Sequence, residues 1–147
     1  MAINTLLARH ARYRPDHLAV VFGERRLTFR QFNARVNRLA NALIGIGLTK
    51  GDKIATVLDN SLEVLEVYQA AAKTGLVAVP LSPMLRGSGL TNLINDSECR
   101  VVITMEKLVP ELDLVRGELT DVGDDPFILS DGEERAGYVS YPVSYTH

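Results

Sequence analysis

Lys53-Ile54-Ala55-Thr56-Val57-Leu58-Asp59, the helical pattern from Leu62 to Thr74, and Leu76-Val77-Ala78-Val79-Pro80-Leu81 decide the fold class of this chain. The first run is almost continuously apolar. It lacks the period-two alternation of a strand with one wet face, so it reads as a strand buried on both faces of a sheet. Asn60 and Ser61 are capping residue types just ahead of the helix, and Glu63 falls in its first turn, where a negative charge is favourable. Val64, Leu65, Val67, Tyr68, Ala70, Ala71 and Ala72 make that helix apolar over most of its circumference, which predicts a helix held between layers. Gly75 terminates it. Pro80 marks the exit of the second strand, because proline cannot donate to a ladder. Strand, helix and strand in this order form a βαβ unit with a right-handed crossover.

Working outward, a second unit repeats the plan. Arg86-Gly87-Ser88-Gly89 opens a short helix bearing Leu90, Leu93 and Ile94 that closes at Asn95-Asp96-Ser97, and Arg100-Val101-Val102-Ile103-Thr104 is a third parallel strand. Upstream, Thr5 to Arg14 is a short helix stopped by Pro15. Ala19–Phe22 and Arg26–Phe29 flank Gly23-Glu24-Arg25 as a β-hairpin. Thr28 and Gln31 form a capping box. Behind them Phe32, Val36, Leu39, Ala40 and Leu43 share one helical face, and Gly45 and Gly47 end the helix. The fold class is α/β: a layered fold with a mostly parallel sheet flanked by helices, plus an N-terminal β-hairpin. Residues 1–104 read as one α/β subdomain. Residues 105–147 read as an amphipathic helix (Leu108, Leu112, Val115, Leu119), an edge strand at Phe127-Ile128-Leu129 and a loosely ordered acidic tail.

Composition limits the function classes. The chain has 147 residues, 46% hydrophobic and 23% charged, with one Cys and no Trp. A lone Cys cannot build an intrachain disulfide framework, so a reducing cytoplasm is the expected location. No apolar run is long enough to span a membrane and the N-terminus lacks a signal-peptide core. The net charge of -2 hides a division: residues 1–53 carry ten basic and three acidic side chains, whereas residues 54–147 carry six basic and fifteen acidic. The basic residues are spread over two helices and a turn without interleaved aromatics, which reads as a solvated face partly neutralised by the acidic half and not as a nucleic-acid patch.

Few residues point to chemistry. Gly45, Gly47 and Gly51 follow a helix and precede a strand, the reverse of a dinucleotide fingerprint, and read as turn glycines. Gly87-Ser88-Gly89 lies between a strand and a helix, where amides can face an anion, but lacks a lysine and a third glycine and reads as a loop and cap. His10, His17 and His147 have no metal-ligand spacing with one another or with Cys99, which reads as a packed side chain. Glu63 and Glu66, like Glu133 and Glu134, read as carboxylates on solvated faces. No catalytic, cofactor-binding or metal residue is assigned.

Several stretches together carry a family resemblance. Leu27-Thr28-Phe29-Arg30-Gln31-Phe32 is similar to Leu-(Thr/Ser)-Tyr-x-Glu-Leu, with Phe29, Gln31 and Phe32 as departures. Ala72-Lys73-Thr74-Gly75-Leu76-Val77-Ala78-Val79-Pro80-Leu81 resembles a Lys-x-Gly-x-x-x-(Val)-Pro motif. Gly47-Leu48-Thr49-Lys50-Gly51-Asp52-Lys53-Ile54-Ala55 resembles Gly-(Leu/Val)-x-x-Gly-Asp-x-Val-(Ala), and Asn60-Ser61-Leu62-Glu63 resembles Asn-Ser-x-Glu. Leu93-Ile94-Asn95-Asp96-Ser97-Glu98-Cys99-Arg100-Val101-Val102-Ile103-Thr104 is similar to Leu-x-Asp-Ser-x-Ala-(Lys/Arg)-Val-(Leu/Val)-(Ile/Phe)-(Thr/Val). In order and at natural spacings, these make residues 3–104 resemble the opening of the AMP-forming acyl-CoA synthetases, members of the adenylate-forming superfamily.

That resemblance implies a ligase of fatty-acid or aromatic-acid metabolism that converts a carboxylic acid, ATP and CoA to acyl-CoA, AMP and pyrophosphate, with Mg. It also implies a Gly/Ser/Thr-rich phosphate loop, a metal-binding acid and a C-terminal lysine, none of which this sequence contains. Tyr145-Thr146 begins like that loop, but His147 stands where Ser belongs. The matched motifs are structural in the family, so the expectation is an N-terminal portion that is catalytically incomplete and needs no cofactor of its own. One half of a split ligase, or a non-enzymatic acyl- or nucleotide-binding module, are the alternatives. The expected partners are a carboxylic acid in the parent enzyme and a second copy, through apolar surface on Leu108, Leu112, Val115 and Leu119 or at the sheet edge.

Overall fold

The computed structural model describes residues 3–122, 127–131 and 136–141. After the helix α1 (Ile3–Tyr13), β1 (Leu18–Phe22) and β2 (Arg25–Thr28) form the antiparallel hairpin. Phe22 pairs with Arg25, so the turn is the two residues Gly23 and Glu24, one shorter than the sequence reading, with Gly23 at φ 59°. Such a turn matches strand twist when its first residue takes positive φ. Phe29 belongs to the following helix, and its ring stacks on His10 with centroids 4.9 Å apart.

Helix α2 (Phe29–Gly45) starts at the expected capping box: the Gln31 amide donates to Thr28 Oγ1 (3.2 Å) and the Thr28 amide donates to Gln31 Oε1 (2.9 Å). Its buried residues are Phe32, Val36, Leu39, Ala40 and Leu43, the face read from the sequence. Of the two glycines at its end, Gly47 takes the left-handed conformation, at φ 101°. β3 (Lys53–Val57), α3 (Leu62–Thr74) and β4 (Val77–Leu81) form the βαβ unit, and Ser61 caps α3 by accepting from the Val64 amide. Gly75 is its left-handed C-cap at φ 80°, where an added Cβ would lie 2.8 Å from Lys50 Cγ.

Then follow α4 (Gly87–Asp96), β5 (Cys99–Thr104), a 3₁₀ turn, α5 (Val109–Val115), a second 3₁₀ turn, β6 (Phe127–Leu129) and β7 (Val139–Ser140). The main sheet has the order β4-β3-β5-β6-β7, and all of its pairings are parallel. Strand residues sort by period two into two cores. Ile54, Val101, Ile103 and Ile128 meet Val36, Leu39, Leu43, Leu62 and Val67 of α2 and α3. Ala55, Val57, Val102, Phe127 and Leu129 meet Leu90 and Ile94 of α4 and Leu112 and Val115 of α5. This is a three-layer α/β/α arrangement with helices on both sheet faces.

The structure also corrects expectations about the sheet edge and about helix burial. Phe127–Leu129 is an inner strand, buried throughout and paired on both sides, and not an edge. Pro80 lies within β4, one residue before its end, in keeping with its reading as the strand's exit. The Val77 amide donates to Asp52 O across the ladder, so in the parallel alternation Pro80 turns its missing donor to the open edge and costs no hydrogen bond. Leu108, Leu112, Val115 and Leu119 are all buried, so they offer no apolar surface to a partner. Finally, α3 is covered on one side only, since Leu65 and Tyr68 are 41% and 39% exposed. Glu133, Glu134, His147 and the tail beyond Tyr141 lie outside the described residues.

Replacing Thr28 by Ala removes the capping oxygen of α2 and is expected to lower unfolding free energy by about 1 kcal/mol. Urea denaturation followed by circular dichroism checks this; an unchanged midpoint would show that the cap carries no stability.

Candidate functional site

In an open parallel sheet, loops that diverge at the carboxyl ends of two neighbouring strands leave a crevice where the strand order reverses. Here β3 connects through α3 to β4 on one side, and the chain then crosses over β3 to β5, so the switch lies between β3 and β5. At its mouth Lys107 Nζ donates to Asp59 Oδ2 (2.5 Å) across the gap. Their side chains are 62% and 45% exposed, so the pair is solvent-screened and easily opened. Beneath it Thr104 Oγ1 donates to Val57 O (3.0 Å). Asp131, after β6, accepts from the Glu106 amide (2.7 Å), and the Ser130 amide donates to Thr104 O (2.8 Å). These groups fix loops. Among the described residues no group of three or more His, Cys, Asp or Glu side chains is placed to hold a metal ion.

The most unusual electrostatics lie behind the sheet. Glu66 on α3 is fully buried, against its reading as a solvated carboxylate. Arg35 of α2 donates from Nε to Glu66 Oε2 (2.5 Å) and from an Nη to Oε1 (3.1 Å), and Tyr141, just past β7, donates its hydroxyl to Oε1 (2.9 Å). Burial opposes the Arg35 charge, but the hydrogen bond and charge of Glu66 outweigh it and hold the guanidinium above its usual value. Burial, followed by the Glu66 charge, pushes the Tyr141 hydroxyl well above the ordinary tyrosine range. Its neighbour Glu63 pairs with Arg25 of the hairpin at 2.8 Å. Lys73 on the same helix donates to the side-chain oxygens of Asn33 and Asn37, and burial lowers its pKa.

Other candidates from the sequence are placed singly. Gly87-Ser88-Gly89 begins α4, but Arg86 beside it donates to Pro83 O (2.7 Å) and Leu85 O (2.8 Å) and pairs with Glu111 (3.5 Å). A triphosphate needs convergent amides and a cation aimed at one point; with its guanidinium turned onto carbonyls and a carboxylate, this turn does not fit one. Gly47 and Gly51 occupy turns at φ 101° and 93°. Cys99 begins β5, fully buried, and burial pushes its thiol up to about 11. His10 packs on Phe29 and His17 lies in the loop before β1. The structure brings no two of these together. What the sequence missed is the Arg35-Glu66-Tyr141 cluster; its partners are 31 and 75 residues apart, and the only local signal is a Glu on the apolar face of α3.

A three-layer fold whose matched motifs are caps and turns agrees with what the chain resembles. The profile of the AMP-binding enzyme family matches residues 7–139. The chain belongs to the AMP-binding enzyme family. It is 36% identical over 98 residues to the long-chain-fatty-acid–CoA ligase FadD13 of Mycobacterium tuberculosis, covering 67% of this chain and 20% of that protein. It is 38% identical over 103 residues to surfactin synthase subunit 2 of Bacillus subtilis, covering 70% of this chain and 3% of that one. The fold superposes on the crystal structure of the anthranilate CoA ligase AuaEII in complex with anthranoyl-AMP, with a TM-score of 0.88 and 24% identity, over 96% of this chain and 27% of that chain. The chain therefore spans about a fifth of its first curated relative.

Arg35→Met strands the Glu66 charge in the core and is expected to cost about 3–5 kcal/mol, whereas Arg35→Met with Glu66→Leu and Tyr141→Phe, which removes all three polar partners together, recovers most of the loss. Chemical denaturation of both variants checks this, and equal losses would refute it. A second expectation concerns alkaline pH. A thiol whose pKa is raised by folding binds its proton more tightly in the native state, so stability is full below the unfolded value of about 8.5 and falls as pH rises toward about 11. The slope reaches about 1.4 kcal/mol per pH unit per group, and Tyr141 adds to it at higher pH. Cys99→Ala is expected to flatten the decline between these values in pH-dependent urea melts.

Proposed function

We propose that this polypeptide is the N-terminal scaffold of an AMP-dependent acyl-CoA synthetase, converting a carboxylic acid, ATP and CoA to acyl-CoA, AMP and pyrophosphate in the parent enzyme, and that it is catalytically incomplete alone. The observation that carries this reading is the family match across residues 7–139 onto a region whose polar side chains at the switch point cap loops. The parent's cofactors are ATP, CoA and Mg, and its substrate is a fatty or aromatic acid. The scaffold contributes a rigid sheet and its loop framework. The same reading places the protein in the cytoplasm; no described helix is long and apolar enough to cross a membrane. Self-association belongs to this proposal too, through the outer face of α3 and the β4 edge, where Leu65, Tyr68 and Val77 are exposed.

Two measurements test it. The chain alone, supplied with ATP, Mg, CoA and a panel of fatty and aromatic acids, is expected to release no carboxylate-dependent pyrophosphate; clear release would show a complete enzyme. Grafted into FadD13 in place of the matching segment, residues 7–139 are expected to support acyl-CoA formation. A folded but inactive chimera would sink the scaffold reading.

A further inference from the structure

The seam between α2 and α3 holds a cation whose partners are neutral. Lys73, in the last turn of α3, donates from Nζ to Asn33 Oδ1 and to Asn37 Oδ1, the latter at 2.7 Å. Asn33 and Asn37 stand one turn apart on α2, so the nitrogen sits between two side-chain amides. Elsewhere cations meet carboxylates: Lys107 pairs with Asp59, and Arg35 pairs with Glu66 across the same two helices. At Lys73 no described carboxylate offsets the burial, and burial lowers its pKa. Lys73 and Asn33 are half-buried whereas Asn37 is exposed, so the nitrogen is desolvated on one side and open to a reagent on the other.

A desolvated amine that releases its proton readily is a nucleophile. The partners of this one also suit the product of acyl transfer. An Asn side chain carries an acceptor and two donors, so one asparagine accepts from the N–H of a newly formed amide while the other turns its NH2 to the new carbonyl. A carboxylate in either place would be left as an unpaired charge once the cation is gone. We propose that Lys73 is an acylation site for small acyl thioesters, cradled by Asn33 and Asn37 in both its free and its acylated state. The neutral Nζ attacks the thioester carbonyl; the C–N bond forms, the C–S bond breaks, and the departing thiolate takes up the proton that the nitrogen releases. The modification cancels the basic charge in the last turn of α3, which lies toward the carbonyl end of the helix, and leaves α2 and α3 joined. The proposal is independent of the ligase reading, because the thioester comes from outside the chain.

The chain has lysines at 50, 53, 73 and 107, so the rate at each site is separable. The test is incubation of the full chain with acetyl-CoA at mildly alkaline pH, in native buffer and in urea, with acetylation at each lysine followed by peptide mass spectrometry. In the folded chain Lys73 is expected to react roughly tenfold faster than Lys107, and faster than Lys50 and Lys53. In urea the rates are expected to converge. Asn37→Asp sets a carboxylate against the nitrogen and is expected to slow Lys73 several-fold, with the other lysines and the circular dichroism unchanged. The chain acetylated at Lys73 is expected to unfold at the urea midpoint of the parent. A folded chain in which Lys73 reacts no faster than the other lysines, a preference for Lys73 that persists in urea, an unchanged rate at Lys73 in a folded Asn37→Asp variant, or a marked fall in midpoint on acetylation each overturns the proposal.

Discussion

The rest of the molecule depends on β3 being covered on both faces and on both edges. Ile54 turns to one helical layer, Ala55 and Val57 to the other, while β4 and β5 pair on either side. A strand without a wet face forces the chain to place helices on both sides of the sheet. With right-handed crossovers, helices on opposite faces require the strand order to run in opposite directions from β3. The switch point between β3 and β5 is therefore a geometric consequence of a short apolar sequence.

The layers are then fixed against one another by a polar contact. Apolar burial is non-directional and tolerates sliding of α2 over α3. A carboxylate with no solvent exposure does not, because each misplaced hydrogen bond leaves a desolvated charge. Glu66 takes donors from α2 and from the chain beyond β7, so it ties the helical layer to the last strand of the sheet. A second clamp acts on the other face: Arg116 stacks on Phe127 at 3.9 Å and lies 4.8 Å from the Tyr138 ring, and Tyr138 donates its hydroxyl to Asp113 (2.7 Å). The short strands β6 and β7 are held by these side chains as much as by their few ladder bonds.

The line between what the sequence shows and what it hides follows from this. The α2 face, its capping box, the limits of α3 and its glycine cap were all legible, because periodicity and caps are local signals. So was the parallel α/β class, through the apolar runs. The interior place of β6 was not legible: three apolar residues have the same pattern at an edge or inside, and the decision lies in pairing with β5 and β7. Leu108, Leu112, Val115 and Leu119 announced an apolar face but not what covers it. Glu66 was misread because a carboxylate's partners, unlike its neighbours in sequence, have no periodicity.

The same distinction explains why the candidate site was only half visible. A switch-point crevice is a property of strand order, and the sequence supplies that through its βαβ units. The side chains around it are committed to the framework: Ser61 caps α3, Asp131 takes the Glu106 amide, and Thr104 binds Val57. Asp59 and Lys107 remain exposed enough to exchange their mutual contact for another. Polar groups whose hydrogen bonds are spent on loop geometry hold the carboxyl end of the sheet rigid. The described part of the sequence accordingly reads as caps, turns and core.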